Sequence, residues 1–253
     1  MRALLDLVLP ARCAGCGDPA GPGCPRCLDA LAGPARWTRP DPCPPGLPPV
    51  ATAAGYDGPV RALLVGYKER GAHALARPLG AALARSAALA LGAVRAPPAG
   101  WAEPVVVVPV PSAPWQSRRR GADVVAELAA WAVRDLRRLG LHVQLVPALR
   151  QVRAVADSAG LDARSRAANS AGALGLRRRS GPLLAGRTVV LVDDLVTTGA
   201  SLAEAARVLR AASACVVAGA TVAATSRWAR SPAAAGARIG SPAAQLHGWG
   251  LRC

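Results

Sequence analysis

The sequence predicts an α/β protein: a mostly parallel sheet flanked by helices, preceded by a small module built on four cysteines. Three observations carry that reading. From Ala51 to about Arg227, apolar runs alternate with Ala- and Arg-rich helical patterns, the texture of successive βαβ units. The runs themselves, such as "VVVVPV" and "TVVLVDD", are apolar and β-branched, as expected of strands covered on both faces. Ahead of them, "CAGCGDPAGPGCPRC" holds Cys13, Cys16, Cys24 and Cys27 as two Cys-x-x-Cys pairs, in a stretch too rich in Gly and Pro to bury a core.

The first region, 1–50, opens on "MRALLDLVLP", where Leu4, Leu5, Val8 and Leu9 predict a short amphipathic helix. Asp6 interrupts the apolar stretch and no small-residue cleavage site follows, so it does not read as a secretion signal. The two cysteine pairs come next, seven residues apart. Each pair lets two thiolates reach one ion from a tight turn, and together they complete the closed tetrahedral geometry of structural Zn²⁺. Protein fills all four positions, so the ion is expected to supply folding energy rather than chemistry. Cys43, Cys215 and Cys253 fall outside this spacing and read as linker, core and tail residues. The region ends in "RPDPCPPGLPPV", whose six prolines oppose both helix and central strand and predict a linker.

The second region, 51–227, predicts strands over 105–110, 142–146, 188–194 and 215–223. Helical patterns fill the gaps over 59–69, 74 to about 90, 121–139 and 201–212. The remainder, 228–253, has weak periodicity and predicts a tail.

Composition limits the partners. Lys+Arg number 31 against 15 Asp+Glu, a formal net charge of +16, which favours polyanions such as nucleic acid, nucleotides or phosphorylated sugars. Phe is absent and Lys68 is the only lysine in a chain dominated by Ala, Arg, Gly and Pro, so the charge also reads as compositional bias. No apolar run approaches the ~20 residues of a membrane span. Cysteines spaced for a metal suit a reducing compartment, and the expectation is a soluble cytoplasmic protein. His73, His142 and His247 show no ligand spacing.

The stretch that carries chemistry is "VVLVDDLVTTGAS", residues 189–201. Ligands of parallel sheets collect at the carboxyl ends of strands, where Asp193 and Asp194 fall. Behind them Thr197, Thr198 and Ser201 offer hydroxyls, Gly199 removes bulk, and backbone N–H groups from Thr197 through Ala200 to Ser201 open a helix. Together these suit a phosphate monoester. Carboxylates beside such a cradle can accept hydrogen bonds from vicinal sugar hydroxyls, so the whole suits a ribose 5-phosphate. The string is neither a P-loop, lacking Gly-Lys-[Ser/Thr], nor Gly-x-Gly-x-x-Gly.

This string resembles the 5-phosphoribosyl 1-pyrophosphate (PRPP) motif of type I phosphoribosyltransferases. The chain is similar to the ComF family, which joins an N-terminal zinc module to such a domain and is associated with DNA uptake in natural competence. The resemblance extends to "YDGPVRALLVGYKERG" with Tyr56 and Lys68, "VVPVPSAPWQSRRRG", and "DSAGLDARSRAANSAGAL". It implies that Asp193 and Asp194 hold ribose hydroxyls, that Thr197 to Ser201 hold the 5-phosphate, and that Mg²⁺ bridges pyrophosphate and ribose oxygens. Family members read Arg-Gly-Phe-Asn-Gln where this chain has Arg120-Gly121-Ala122-Asp123-Val124, and Gln where it has Ser158, while Arg120, Gly121, Arg166 and Asn169 match.

Arg118 to Arg120 read either as a pyrophosphate contact, with Arg120 matching the family pattern, or as a solvated turn. Arg177 to Arg179 read mainly as a solvated turn. If both clusters share the cleft they form a groove for single-stranded DNA, with Trp115 as a stacking platform or a packing residue. Two functions follow. One is an enzyme that transfers the phosphoribosyl group to an acceptor; the other is a PRPP- or single-stranded-DNA-binding protein of the competence machinery that turns nothing over.

Overall fold

The computed structural model describes residues 12–92, 103–112, 123–153, 170–225 and 228–230. After the cysteine turns come α1 (Pro25–Leu28), a 3-10 turn (Asp29–Leu31), β1 (Arg36–Pro40), β2 (Val50–Gly55) and α2 (Gly58–Arg70). A second 3-10 turn (His73–Leu75) leads into α3 (Ala76–Gly92), then β3 (Val105–Pro109), α4 (Val124–Arg138) and β4 (Val143–Leu145). A short pair, β5 (Leu149–Gln151) and β6 (Leu174–Leu176), precedes α5 (Gly181–Leu184), β7 (Thr188–Val196), α6 (Ala200–Ala211), β8 (Cys215–Ala224) and β9 (Trp228–Arg230).

Seven strands form one sheet in the order β4-β3-β7-β8-β2-β1-β9, and β5 with β6 forms a separate ribbon. From β4 to β2 every pairing is parallel. β1 and β9 close the edge antiparallel. The expected mostly parallel sheet flanked by helices is therefore the observed one, with β7 near its middle.

Along β7 the side chains alternate between two cores, as the period of a strand requires. Val190 and Val192 join Leu63, Leu64 and Tyr67 of α2, Leu79 and Leu83 of α3, and Leu128 and Leu136 of α4. Val189 and Leu191 join Leu202, Ala205 and Leu209 of α6. Two helical layers explain why "VVLV" is apolar without alternation.

Five strands were not anticipated: β1, β2 and the three-residue β5, β6 and β9, the last in the stretch expected to be a tail. β1 lies in the stretch read as module and linker. β2, "VATAAG", is almost wholly buried but consists of small residues without a β-branched run. Small side chains suit its place, because α3 packs directly over β2 and β8. At Gly80 of α3, an added Cβ would fall 2.4 Å from the Cβ of Trp131 on α4, so the two helices cross at closest approach. The span His73–Gly92 is apolar and long enough by composition to cross a membrane, but 56% of that window is buried. Its apolar side is the one that covers the sheet.

Helix ends follow local chemistry. Gly71 takes φ 69° to end α2, and the N–H of Ala72 donates to Gly66 O at 3.1 Å. α4 begins at Val124 rather than 121 because the Asp123 carboxylate caps it, accepting from the N–H groups of Val125 and Ala126. Asp123 also accepts from the Ser112 hydroxyl at 3.0 Å, which ties the turn after β3 to the helix. The N-terminal helix expected around Leu4 to Leu9 lies outside the described residues, as do Trp115, Arg118 to Arg120, Ser158, Arg166, Asn169 and the tail beyond Arg230.

Candidate phosphate and metal sites

β7 ends at Val196 and α6 starts at Ala200, leaving Thr197, Thr198 and Gly199 as the connection. Gly199 sits at the N-cap in the left-handed region, φ 78°, without a side-chain cap. The first amides of α6 therefore have no intrahelical acceptor and no side chain of the N-cap to satisfy them. Ser170, Asp193, Leu195, Val196 and the run Thr197–Leu202 enclose a cavity of about 70 Å³. That is room for a small polyatomic anion, well short of the roughly 300–1,000 Å³ of drug-sized sites. The expected residues Asp193, Thr197, Thr198, Gly199, Ala200 and Ser201 are thus brought together.

Asp194 is not among the lining residues. It continues the Val190–Val192 face and meets α2, where its Oδ2 lies 2.5 Å from Nζ of Lys68. The two carboxylates share a strand end but face opposite ways. Asp193 is half-buried, and its Oδ1 accepts the N–H of Asp194 at 2.8 Å. Burial first, then the neighbouring Asp194 charge, holds the Asp193 carboxyl well above the usual carboxylate range, with Lys68 opposing.

Two supporting residues have no signature in the sequence. Glu204 of α6, buried, accepts from Gly172 N at 3.0 Å and from Arg207 Nε at 2.7 Å. Its hydrogen bond with Arg207 holds the carboxyl below its ordinary value against the effect of burial. It fastens the segment that brings Ser170 to the cavity. Tyr67, fully buried, donates to Glu127 Oε2 at 2.8 Å and lies 3.0 Å from Val124 O. Burial and then Glu127 raise its pKa. We expect Tyr67→Phe to cost about 1–3 kcal/mol, because Glu127 loses a partner in a part-buried position. Chemical denaturation would register it as a lower midpoint with an unchanged slope.

In the N-terminal module, the ligand atoms of Cys13, Cys16, Cys24 and Cys27 all lie within 4.8 Å of one another. A tetrahedral ion with Zn–S bonds of about 2.3 Å needs sulfurs about 3.8 Å apart, so the cluster fits. Cys16 and Cys24 sulfurs are 3.5 Å apart, and Cys24 N–H donates to Cys13 Sγ at 3.3 Å. Burial pushes the Cys13 thiol up, but backbone N–H groups of Cys24, Cys16 and Gly15 outweigh it and bring it down to about 6. Burial and the neighbouring cysteines push Cys27 up to about 12. A divalent ion would favour the thiolate form of sulfurs held this close together. The cluster can hold zinc.

A wider groove of about 370 Å³ lies between this module, α3 and α4, bordered by Leu28, Leu75, Arg77 and Asp135. It is away from the β7 loop and brings no nucleophile or acid–base pair into contact.

No curated protein matches the chain. The phosphoribosyl transferase domain model matches residues 79–234, from the first turn of α3 past β9. That interval contains the aspartates, the Thr-Thr-Gly loop and most of the parallel sheet, and it is more than half of the 253 residues. The chain belongs to the phosphoribosyl transferase domain family.

Proposed function

We propose that the protein binds PRPP with Mg²⁺ at the β7–α6 loop. The supporting observation is the cavity that joins Asp193 to the Thr197–Ser201 run at the carboxyl end of a central parallel strand. In this reading the loop amides and hydroxyls take the 5-phosphate, and the Asp193 carboxylate accepts from a ribose hydroxyl. Asp194, expected from the sequence to share the hydroxyls, is instead assigned to Lys68 and to the shape of the strand end. Mg²⁺ would arrive with the pyrophosphate, whose charge it neutralises. Arg120 remains the sequence candidate for that pyrophosphate. The four cysteines are assigned to a structural zinc ion, which supports a reducing, cytoplasmic setting.

The reaction open to such a site is transfer of the phosphoribosyl group: the anomeric carbon–pyrophosphate bond breaks and a bond from the acceptor forms. It needs positioning and charge neutralisation more than a protein nucleophile. Calorimetric titration with PRPP and Mg²⁺ should show binding that Asp193→Asn weakens about tenfold or more, the loss of one carboxyl oxygen facing the ribose. Absence of binding by the unmodified protein would sink the assignment. Pyrophosphate release on addition of candidate bases then separates turnover from binding.

A non-catalytic, polyanion-binding reading draws on a different feature. The β5–β6 ribbon and its described flanks carry exposed Arg150, Arg153, Arg177, Arg178 and Arg179. Arg150 Nε donates to Leu176 O and Arg177 Nε to Leu149 O, so part of this charge holds the ribbon together. The ribbon continues from the Ser170 segment of the cavity. With the ComF resemblance, this supports single-stranded DNA as a partner in uptake. Such binding should fall steeply with salt.

A further inference from the structure

Lys68 stands out by its type. Of 31 basic residues it alone is lysine. Where a cation only needs to face water, arginine serves as well, so the exception marks a position that calls for a compact point charge rather than a planar fork. It lies before the residues that match the family model, so the match gives it no role.

The position is built rigidly. Lys68 follows Tyr67, which is clamped to Glu127 on α4. Two residues earlier, Gly66 abuts the cysteine module so closely that an added Cβ would fall 2.6 Å from the Cβ of Ala14. Three residues later, Gly71 ends the helix. Held this way, the ammonium reaches Asp194 Oδ2 at 2.5 Å, with side-chain exposures of 25% and 4%. Burial alone would lower the Lys68 pKa; Asp194, and then Asp193, raise it past that effect, so the ammonium keeps its charge.

The consequence concerns ligand charge. A sugar phosphate bearing pyrophosphate is strongly anionic, and two uncompensated carboxylates at the end of β7 would oppose it. We propose that Lys68 is a positioning residue of the ribose-phosphate site: it neutralises Asp194 and fixes the end of β7, so that Asp193 alone offers a carboxylate to the ligand. This rests on the PRPP-binding reading above.

The test is a double-mutant cycle by calorimetry, using the full chain with PRPP and Mg²⁺ as probe. Lys68→Met should weaken binding about tenfold. Adding Asp194→Asn to it should recover most of that loss, because the uncompensated charge is gone. A packing role for Lys68 would leave the double variant as weak as the single one. If Lys68→Met does not fold, the double variant, which buries no unpaired charge, still decides: binding near that of the unmodified protein supports the proposal, and loss of binding overturns it. Acylation of the sole ε-amine, followed by mass spectrometry, gives an independent readout. It should be slow in the unmodified protein and faster in Asp194→Asn; equal rates would mean the ion pair does not hold the amine. A protein that fails to bind PRPP at all refutes the site assignment, whereas PRPP binding unaffected by Lys68→Met refutes this proposal alone.

Discussion

Stripping the metal from the four-cysteine cluster should unfold residues 12–31 and markedly lower the thermal midpoint of the chain. The reason is how little else holds the segment. Its buried side chains are Cys13, Cys24, Cys27 and Leu31, three of them cysteines of the cluster. Zinc-finger peptides derive about 10–16 kcal/mol from their ion at neutral pH, more than a single core truncation removes. The damage would not stop at the module. Gly23 packs so tightly on Leu75 that an added Cβ would meet its Cδ2 at 2.9 Å, and Ala14 covers Gly66 of α2. Losing the cysteine turns uncovers that side of α2, the helix that carries Tyr67 and Lys68. Melting curves with and without a chelator, with metal quantified in the same samples, check this, and Cys24→Ser should reproduce the chelated curve. A metal-free protein with an unchanged midpoint would refute it.

Legibility in the sequence followed side-chain type. β3, β7 and β8 announced themselves because strands under two helical layers use long β-branched runs, and the cysteine site because metal ligation fixes its spacing. β2 did not, since Val50–Gly55 is nearly all small residues and its reason for being small, the close approach of α3, is a tertiary fact. β1 was masked by its setting: Arg36–Pro40 abuts a proline-rich run, and its pairing with β2 is antiparallel at the edge of a parallel sheet. The connection from β7 to α6 was legible down to its residues, because the local order strand, carboxylate, Thr-Thr-Gly, helix is itself the geometry. What was not legible is that the adjacent aspartates part company. The strand period predicts opposite faces, but only the fold reveals that one face opens on the cavity and the other on Lys68. Glu204 and Tyr67 were hidden for the same reason, as their partners Gly172 and Glu127 are distant in the chain.

Gly199→Val should abolish most ribose-phosphate binding while leaving the fold in place. Gly199 holds φ 78° at the point where β7 hands over to α6. An L-residue pays about 1–2 kcal/mol for that conformation, and a β-branched one suffers most. The space is also taken: an added Cβ would sit 2.9 Å from Leu47 Cδ2. Leu47 can shift, being a flexible side chain, but the backbone conformation cannot be relieved without swinging Thr197, Thr198 and the first amides of α6 away from Asp193. α6 itself should stay, because Leu202, Ala205 and Leu209 anchor it in the core and do not depend on the loop. Helix content by circular dichroism should therefore be retained, while affinity for PRPP with Mg²⁺ falls at least about tenfold, the effect of displacing several phosphate-facing amides together. Asn, which tolerates the left-handed region better than other residues, should fall between glycine and valine. That order separates a conformational requirement from simple crowding. If crowding against Leu47 governed, the smaller alanine would bind better than asparagine; if the left-handed backbone governs, asparagine binds better than alanine despite its size.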